Sequence, residues 1–362
     1  MLSSQVVKNC LEELTAISSV EFCLQDTNGG LFAMTAGAQI PASDMVADFA
    51  RSSVDSQIVG NRYLLKVQEE EETVYVLTAI GDGDHTLMIA RIAVSELQNL
   101  LIAYREKYDR NNFFQNLLLD NLLLVDIHNR AKKLHIDYQV PRGIILVELE
   151  SEGDAPAGEL LSGIFTSHNG DYLTEVDEHS VIVIKSVDTP ESYDQLQEAA
   201  NIAVDMLNTE AMLKVRAAYG SIVTDLKNLS GSFKEAKMAM DVGRIFYADK
   251  HVNSYHQLGI GRLIYQLPSN LCNVFIHEVF GENVPDDLDN ETLSTINCFF
   301  ENNLNVSETS RQLFIHRNTL VYRIEKLQKQ TGLDIRNFDD ALKFKISLMV
   351  IDYLKYLDSK EY

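Results

Sequence analysis

The sequence has no tryptophan, only four cysteines and only six prolines among 362 residues, and it is short of positive charge: 31 Lys and Arg stand against 53 Asp and Glu, a formal net charge of -22. Each shortage excludes something. The cysteines (Cys10, Cys23, Cys272, Cys298) are far apart and form no CxxC pair, which rules out a disulfide framework and a zinc-thiolate site and fits buried thiols in a reducing compartment. No segment approaches the roughly 18 uninterrupted apolar residues of a membrane span. The N-terminus, MLSSQVVKNCLEEL, carries acids inside its first apolar stretch and lacks the basic start and small-residue cleavage site of a secretory signal. A cytoplasmic chain with no membrane partner is expected. There are no low-complexity segments or repeats, and at about 150 residues per domain the length predicts two or three domains.

An excess of acid argues against binding a polyanion, but the charge is unevenly placed. Residues 1–110 carry a net -8, residues 111–287 a net -13 and residues 288–362 only -1. Within the last segment, 305–332 holds Arg311, Arg317, Arg323, Lys326 and Lys329 against Glu308 and Glu325, a local balance of +3. An acidic chain therefore carries one basic stripe.

The first hundred residues open with a helical pattern, Val6 to Leu14. Two apolar runs follow around Asp26-Thr27-Asn28-Gly29-Gly30, a strong hairpin signal. RYLLKV (62–67), ETVYVLTAI (72–80) and TLMIARIA (86–93) read as further strands. Helix, hairpin, helix and a strand meander suggest a single-sheet sensor domain of the PAS or GAF kind at 1–95. Arg51, Arg62 and Lys66 are its basic residues nearest the strands and are candidates for meeting an anionic effector. From Val94 the pattern turns helical, with Leu97, Leu101, Tyr104 and Tyr108 at alternating four- and three-residue spacing. Residues 96–138 read as a helical linker; that seam either pairs two subunits or packs on its own domain.

Residues 139–267 alternate strand GIILVELE, helix APAGELLSGIF, hairpin DYLTEVDEHSVIVIKS, helix 190–209, strand LKVRAAYGSI and helix SFKEAKMAMDVGRIFYA. This β-α-β-β-α-β order is ferredoxin-like, and it is also the order of diguanylate cyclases. Those enzymes carry Gly-Gly-Asp-Glu-Phe on the central hairpin, whereas the tip here reads Asp177-Glu178-His179-Ser180-Val181. Lacking the glycine pair and the placed acids, the domain is expected to be non-catalytic. A nucleotide cyclase-like enzyme, or a nucleotide-binding regulator, using this domain is the alternative reading.

The C-terminal part, 285–362, is expected to be all-helical. Asn305 and Glu308 suit a helix start, and Val306, Ser310 and Leu313 fall on one face. Phe314-Ile315-His316 interrupts that helix. A second helix runs from about Arg317 to Gln330 with Gly332 placed to stop it. Its buried stripe is Leu320, Ile324 and Leu327. At roughly 100° per residue the opposite face presents Asn318, Tyr322, Lys326 and Lys329, with Arg317, Thr319 and Arg323 on the flanks and first turn. Two helices joined by a tight turn, with small Ser310 at the approach, fit a helix-turn-helix, whose second helix enters the major groove. Arginine forks onto guanine, asparagine onto adenine, and lysine meets phosphate. Arg317, Asn318, Thr319, Tyr322, Arg323 and Lys326 are the candidate DNA-binding residues, with double-stranded DNA as partner.

The stretch NVSETSRQLFIHRNTLVYRIEKLQKQTGLDIRNFDDALKFKISLMV resembles the DNA-binding domain of the PucR/CdaR family of bacterial transcription regulators (purine-catabolism and sugar-diacid regulators). HRNT…YR (His316, Arg317, Asn318, Thr319, Tyr322, Arg323) and TGLD (331–334) carry the likeness. Upstream, FKEAKMAMDVGRIFYADKHVNSYHQLGIGRLI looks like the end of that family's degenerate GGDEF-like domain. The resemblance covers about 140–355. Together with the PAS/GAF-like sensor read from the element order above, it implies an α+β multidomain chain with a degenerate GGDEF-like domain and an all-α helix-turn-helix. It also implies a transcriptional regulator without cofactor or catalytic residues, answering to a small-molecule effector of unknown identity and acting as a homodimer or higher homo-oligomer.

Other motifs carry less. The nine histidines include none in HExxH or beside a thiol pair, so no metal is expected. GDGDHT (81–86) and GIGRLI (259–264) lack phosphate-loop spacing. The run Gln68-Glu69-Glu70-Glu71-Glu72 reads as a solvated hairpin tip.

Overall fold

A computed structural model describes residues 3–69, 72–82, 84–150, 157–166, 169–177, 179–281 and 289–360. The chain divides into two compact units, 1–114 with 133–135, and 115–132 with 136–362.

The first unit is built on an antiparallel five-stranded sheet. Its elements run α1 (Ser4–Ser18), β1 (Glu21–Asp26), β2 (Leu31–Met34), α2 (Ser43–Arg51), β3 (Ser56–Val59), β4 (Arg62–Glu69), β5 (Glu72–Ile80) and the start of α3 (Asp84–Leu118). The sheet order is β2-β1-β5-β4-β3. The first hairpin closes because the Asp26 carboxylate accepts the Asn28 and Gly30 amides, each at 2.8 Å, while Gly29 takes φ +84, a conformation glycine adopts freely. Strand alternation sorts the core. Phe22, Leu24, Leu65, Val67, Leu77 and Ala79 face Val7 and Leu11 of α1 and Ala90, Ala93 and Leu97 of α3. On the other face Leu64 and Val76 meet Val46 and Phe49 of α2.

One expected strand is a helix. TLMIARIA lies in α3, because Ala90, Ala93 and Leu97 recur at helical spacing and bury completely against the sheet. The apolar run had hidden this period, since Met88 and Ile92 are hydrophobic yet exposed. α3 is long and apolar enough to cross a bilayer by composition alone, with 28% of that stretch buried; Ala90, Ala93 and Leu97 are the part of it that enters the sheet's core. Leu97 and Leu101 of the expected seam pack on this same core, while Tyr108 is exposed.

The second unit continues with α4 (Leu124–Lys133), β6 (Gln139–Leu149), α5 (Ala157–Ser162), β7 (Tyr172–Asp177), β8 (Ser180–Ser186), α6 (Tyr193–Glu210), β9 (Val215–Tyr219), β10 (Val223–Asp225), α7 (Leu229–Phe246) and β11 (Val252–Ser254). Its sheet order is β11-β9-β6-β8-β7, with β10 on β6. The four strands β9-β6-β8-β7 are antiparallel neighbours in the ferredoxin-like arrangement, and β11 extends them in parallel with β9. Ile145, Val147, Val183 and Ala217 form the core with Leu196, Ala200 and Leu207 of α6. The sheet also lies close to α7. A Cβ on Gly220 would sit 2.0 Å from the Ser232 carbonyl oxygen, and the Ser232 hydroxyl donates to Ser221 O at 2.7 Å while accepting the Ile144 amide at 3.1 Å.

The helices α8 (Ile260–Tyr265), α9 (Ser269–Phe280), α10 (Asn290–Glu301), α11 (Val306–Gln312), α12 (Arg317–Thr331) and α13 (Phe338–Lys360) complete the unit. One apolar core joins Ile264, Cys272, Ile276 and Phe280 to Phe299, Leu320, Ile324, Leu327, Phe344 and Val350, with Ile245 and Phe246 of α7 packed against it. A polar tie accompanies this packing. Asp241 of α7 accepts the Tyr265 hydroxyl on one carboxylate oxygen at 2.6 Å and the Tyr356 hydroxyl on the other at 2.7 Å. Burial, and then the Asp241 carboxylate, hold both phenols well above their usual pKa.

Candidate nucleic-acid interface

Helices α10, α11 and α12 build the site. Asp289 caps α10 by accepting the Thr292 amide, a bond that holds its carboxyl below the usual range. Asn305 caps α11 by accepting the amides of Ser307 and Glu308 at 3.0 and 3.2 Å. The Glu308 side chain pairs with Arg311 instead of closing a capping box. Thr309 and Ser310 are buried where α11 meets α12. Phe314 turns the chain at φ +54 with its ring 96% exposed. His316 then caps α12, its Nδ1 accepting the Asn318 amide at 3.2 Å. At the far end Gly332, at φ +78, donates its amide to Gln328 O, the left-handed stop expected of glycine.

Leu320, Ile324 and Leu327 are buried and fix the roll of α12 about its axis. Arg317, Asn318, Thr319, Tyr322, Lys326 and Lys329 are all exposed as a result. Arg317 and Lys326 form no ion pair with another described residue. The free arginine, asparagine, threonine and tyrosine lie along the first turns of the helix, where a base-reading helix needs them. Arg323 is different: its guanidinium pairs with Glu291 and donates to the Thr295 hydroxyl at 3.0 Å, and it is only 24% exposed.

The basic residues singled out in the sensor sheet occupy other settings. Arg51 ends α2 and is exposed. Arg62 donates to the Gln39 side chain at 3.0 Å. Lys66 donates to the Ser52 carbonyl that closes α2 and lies 5.6 Å over the Phe49 ring. Burial pushes the nearby Cys23 thiol up to about 11, so it stays protonated. At the middle-domain hairpin Asp177 accepts from the His179 amide at 3.1 Å and the Ser180 hydroxyl at 2.7 Å, which shapes the turn; Glu178 lies outside the described residues. No group of three or more His, Cys, Asp or Glu among the described residues could hold a metal ion. Sequence reasoning missed the His316 cap and the Arg323 anchor. The first had a signal in its place just before the buried periodicity; the second depends on a partner 32 residues away.

Residues 292–350 match the PucR C-terminal helix-turn-helix domain, and residues 121–242 match the GGDEF-like domain. The chain carries a PucR-type helix-turn-helix domain at 292–350 and a GGDEF-like domain in its middle. It is distantly homologous to the carbohydrate diacid regulator of Escherichia coli (22% identity, 89% of this chain and 86% of the relative). Two Bacillus subtilis proteins are similar at the same identity: the purine catabolism regulatory protein (66% of this chain, 48% of the relative) and the DNA-binding transcriptional activator AdeR (84% and 75%).

Proposed function

We propose that the chain binds a specific double-stranded DNA site by placing the N-terminal half of α12 in the major groove. Arg317, Asn318, Thr319 and Tyr322 meet base edges or nearby phosphates, and Lys326 meets a phosphate. The observation that carries this reading is the buried Leu320–Ile324–Leu327 stripe, which turns those side chains to solvent together. One basic helix per chain suits a homodimer on two half-sites about one helical turn, or a multiple, apart. The N-terminal sheet domain takes a small-molecule effector that changes the arrangement of the two reading helices, and the protein acts in the cytoplasm. The middle domain serves regulation, not catalysis; the use of Asp177 to shape its own turn supports this.

Fluorescence anisotropy of the purified chain on the DNA upstream of its own gene, over a salt series, tests the reading. Salt-sensitive binding that Arg317→Ala/Asn318→Ala weakens or makes unselective is expected. Equal binding by both proteins would remove α12 as the reader.

A further inference from the structure

We infer that Arg323 is a positioning residue that locks the reading helix to α10 and does not itself read DNA. The inference rests on the DNA-binding role of α12 and divides labour among its cations.

The argument starts from helix geometry. Arg323 follows Leu320 by three residues and precedes Leu327 by four, so it stands on the ridge of the two leucines that anchor α12 in the core. Asn318, Tyr322 and Lys326 follow one another at four-residue intervals on a neighbouring ridge, facing solvent. A side chain on the first ridge points toward α10, and α10 presents groups suited to a guanidinium. Glu291, in its first turn, pairs with Arg323 Nη2, and the Thr295 hydroxyl one turn later accepts from Nη1. That hydroxyl is 3% exposed and donates to the Glu291 carbonyl at 2.7 Å, so both of its hydrogen-bonding roles are filled. The planar fork of arginine thus holds two points on one helix, which lysine's single ammonium does not reproduce.

A phosphate or guanine approaching Arg323 would have to displace Glu291 and leave the Thr295 oxygen without its donor. The carboxylates of Glu291 and the capping Asp289 would also face the incoming backbone. Asp289 lies close enough to Arg323 and Lys326 to feel both charges. The acidic first turn of α10 therefore marks one boundary of the DNA footprint, between Lys326, which projects past it, and Arg323, which turns into it. Fixing the roll of α12 here holds Asn318 and Tyr322 at one angle to the groove.

A charge exchange separates this from a direct contact. Arg323→Glu, Glu291→Arg, the double variant and Arg317→Ala are compared with the normal chain by anisotropy and by thermal melting in the absence of DNA. Each single exchange is expected to weaken binding by about tenfold or more and to lower the melting temperature. The double variant recovers both, binding to within about threefold of the normal chain at an unchanged salt slope. Arg317→Ala loses affinity without a change in melting. A double variant that melts normally but binds as weakly as Arg323→Glu overturns the inference, because glutamate cannot replace a cation at a phosphate or a guanine. Strictly additive melting shifts overturn it as well. A normal chain that binds no DNA fragment refutes the DNA-binding reading instead, and the melting cycle still reports whether the two helices are locked.

Discussion

Lys66 and Lys326 belong to two regions with the same apparent credentials: each is a basic side chain in an acidic protein, placed where an anion would be welcome. In the sensor sheet, Lys66 projects from β4 toward the end of α2, caps the Ser52 carbonyl and covers Phe49. On α12, Lys326 is exposed on the face opposite the buried stripe and forms no ion pair with a described residue. The difference lies in what each cation can reach. A helix C-terminus offers unpaired carbonyls and a partial negative charge, and a strand side chain beside it is captured. A cation on the outer ridge of α12 has no carbonyl to cap and keeps its ammonium in solvent, where a ligand can meet it.

The largest expected effect falls on the scaffold that creates this contrast. Leu320→Ala, at a fully buried site, should cost about 2–5 kcal/mol in urea denaturation and abolish DNA binding along with folding of the helical body. Arg317→Ala and Asn318→Ala should each cost about 1–3 kcal/mol of discrimination at one base position, measured on a panel of mutated sites, with stability unchanged. Tyr356→Phe removes a donor from Asp241 and should cost about 1.5–3 kcal/mol in the same denaturation experiment. Lys66→Met keeps the stem over Phe49 but drops the bond to Ser52; it should destabilise the first unit by about 1 kcal/mol and leave DNA affinity alone. If Lys66→Met were neutral to folding but blind to an effector, the contrast drawn above would collapse. Lys326→Ala should be the mildest, reducing the salt slope of binding by about one with little effect on sequence preference.

Much of this was readable beforehand, and the limits have physical causes. The Asp26–Gly30 hairpin, the ferredoxin-like order and the α11–α12 pair each carry a local signal: a turn residue, an alternation of elements, or a buried period closed by Gly332. TLMIARIA misled because apolar residues surround its helix on all sides, so neither period stood out. The short strands β10 and β11 have three residues each and owe their existence to neighbours already in the sheet. The exposure of Arg317, Asn318, Thr319, Tyr322 and Lys326 followed from the position of three leucine and isoleucine residues alone. The capture of Arg323 by Glu291, and of Lys66 by Ser52, required knowing which helix end lay opposite, and that is a property of the fold.

The apolar core beneath α12 reaches back through α9 and α8 to the end of α7, well outside the 292–350 stretch that matches a helix-turn-helix domain. A fragment cut at residue 292 would leave behind Ile264, Cys272, Ile276 and Phe280 and bare the surfaces of Phe299 and Phe344 that they cover. Such a fragment should self-associate, whereas one beginning upstream of α8 keeps Ile264, Cys272, Ile276 and Phe280 in place. The boundary that matters for making a soluble reading head therefore lies about thirty residues earlier than the motif, on the order of an extra quarter of a typical domain.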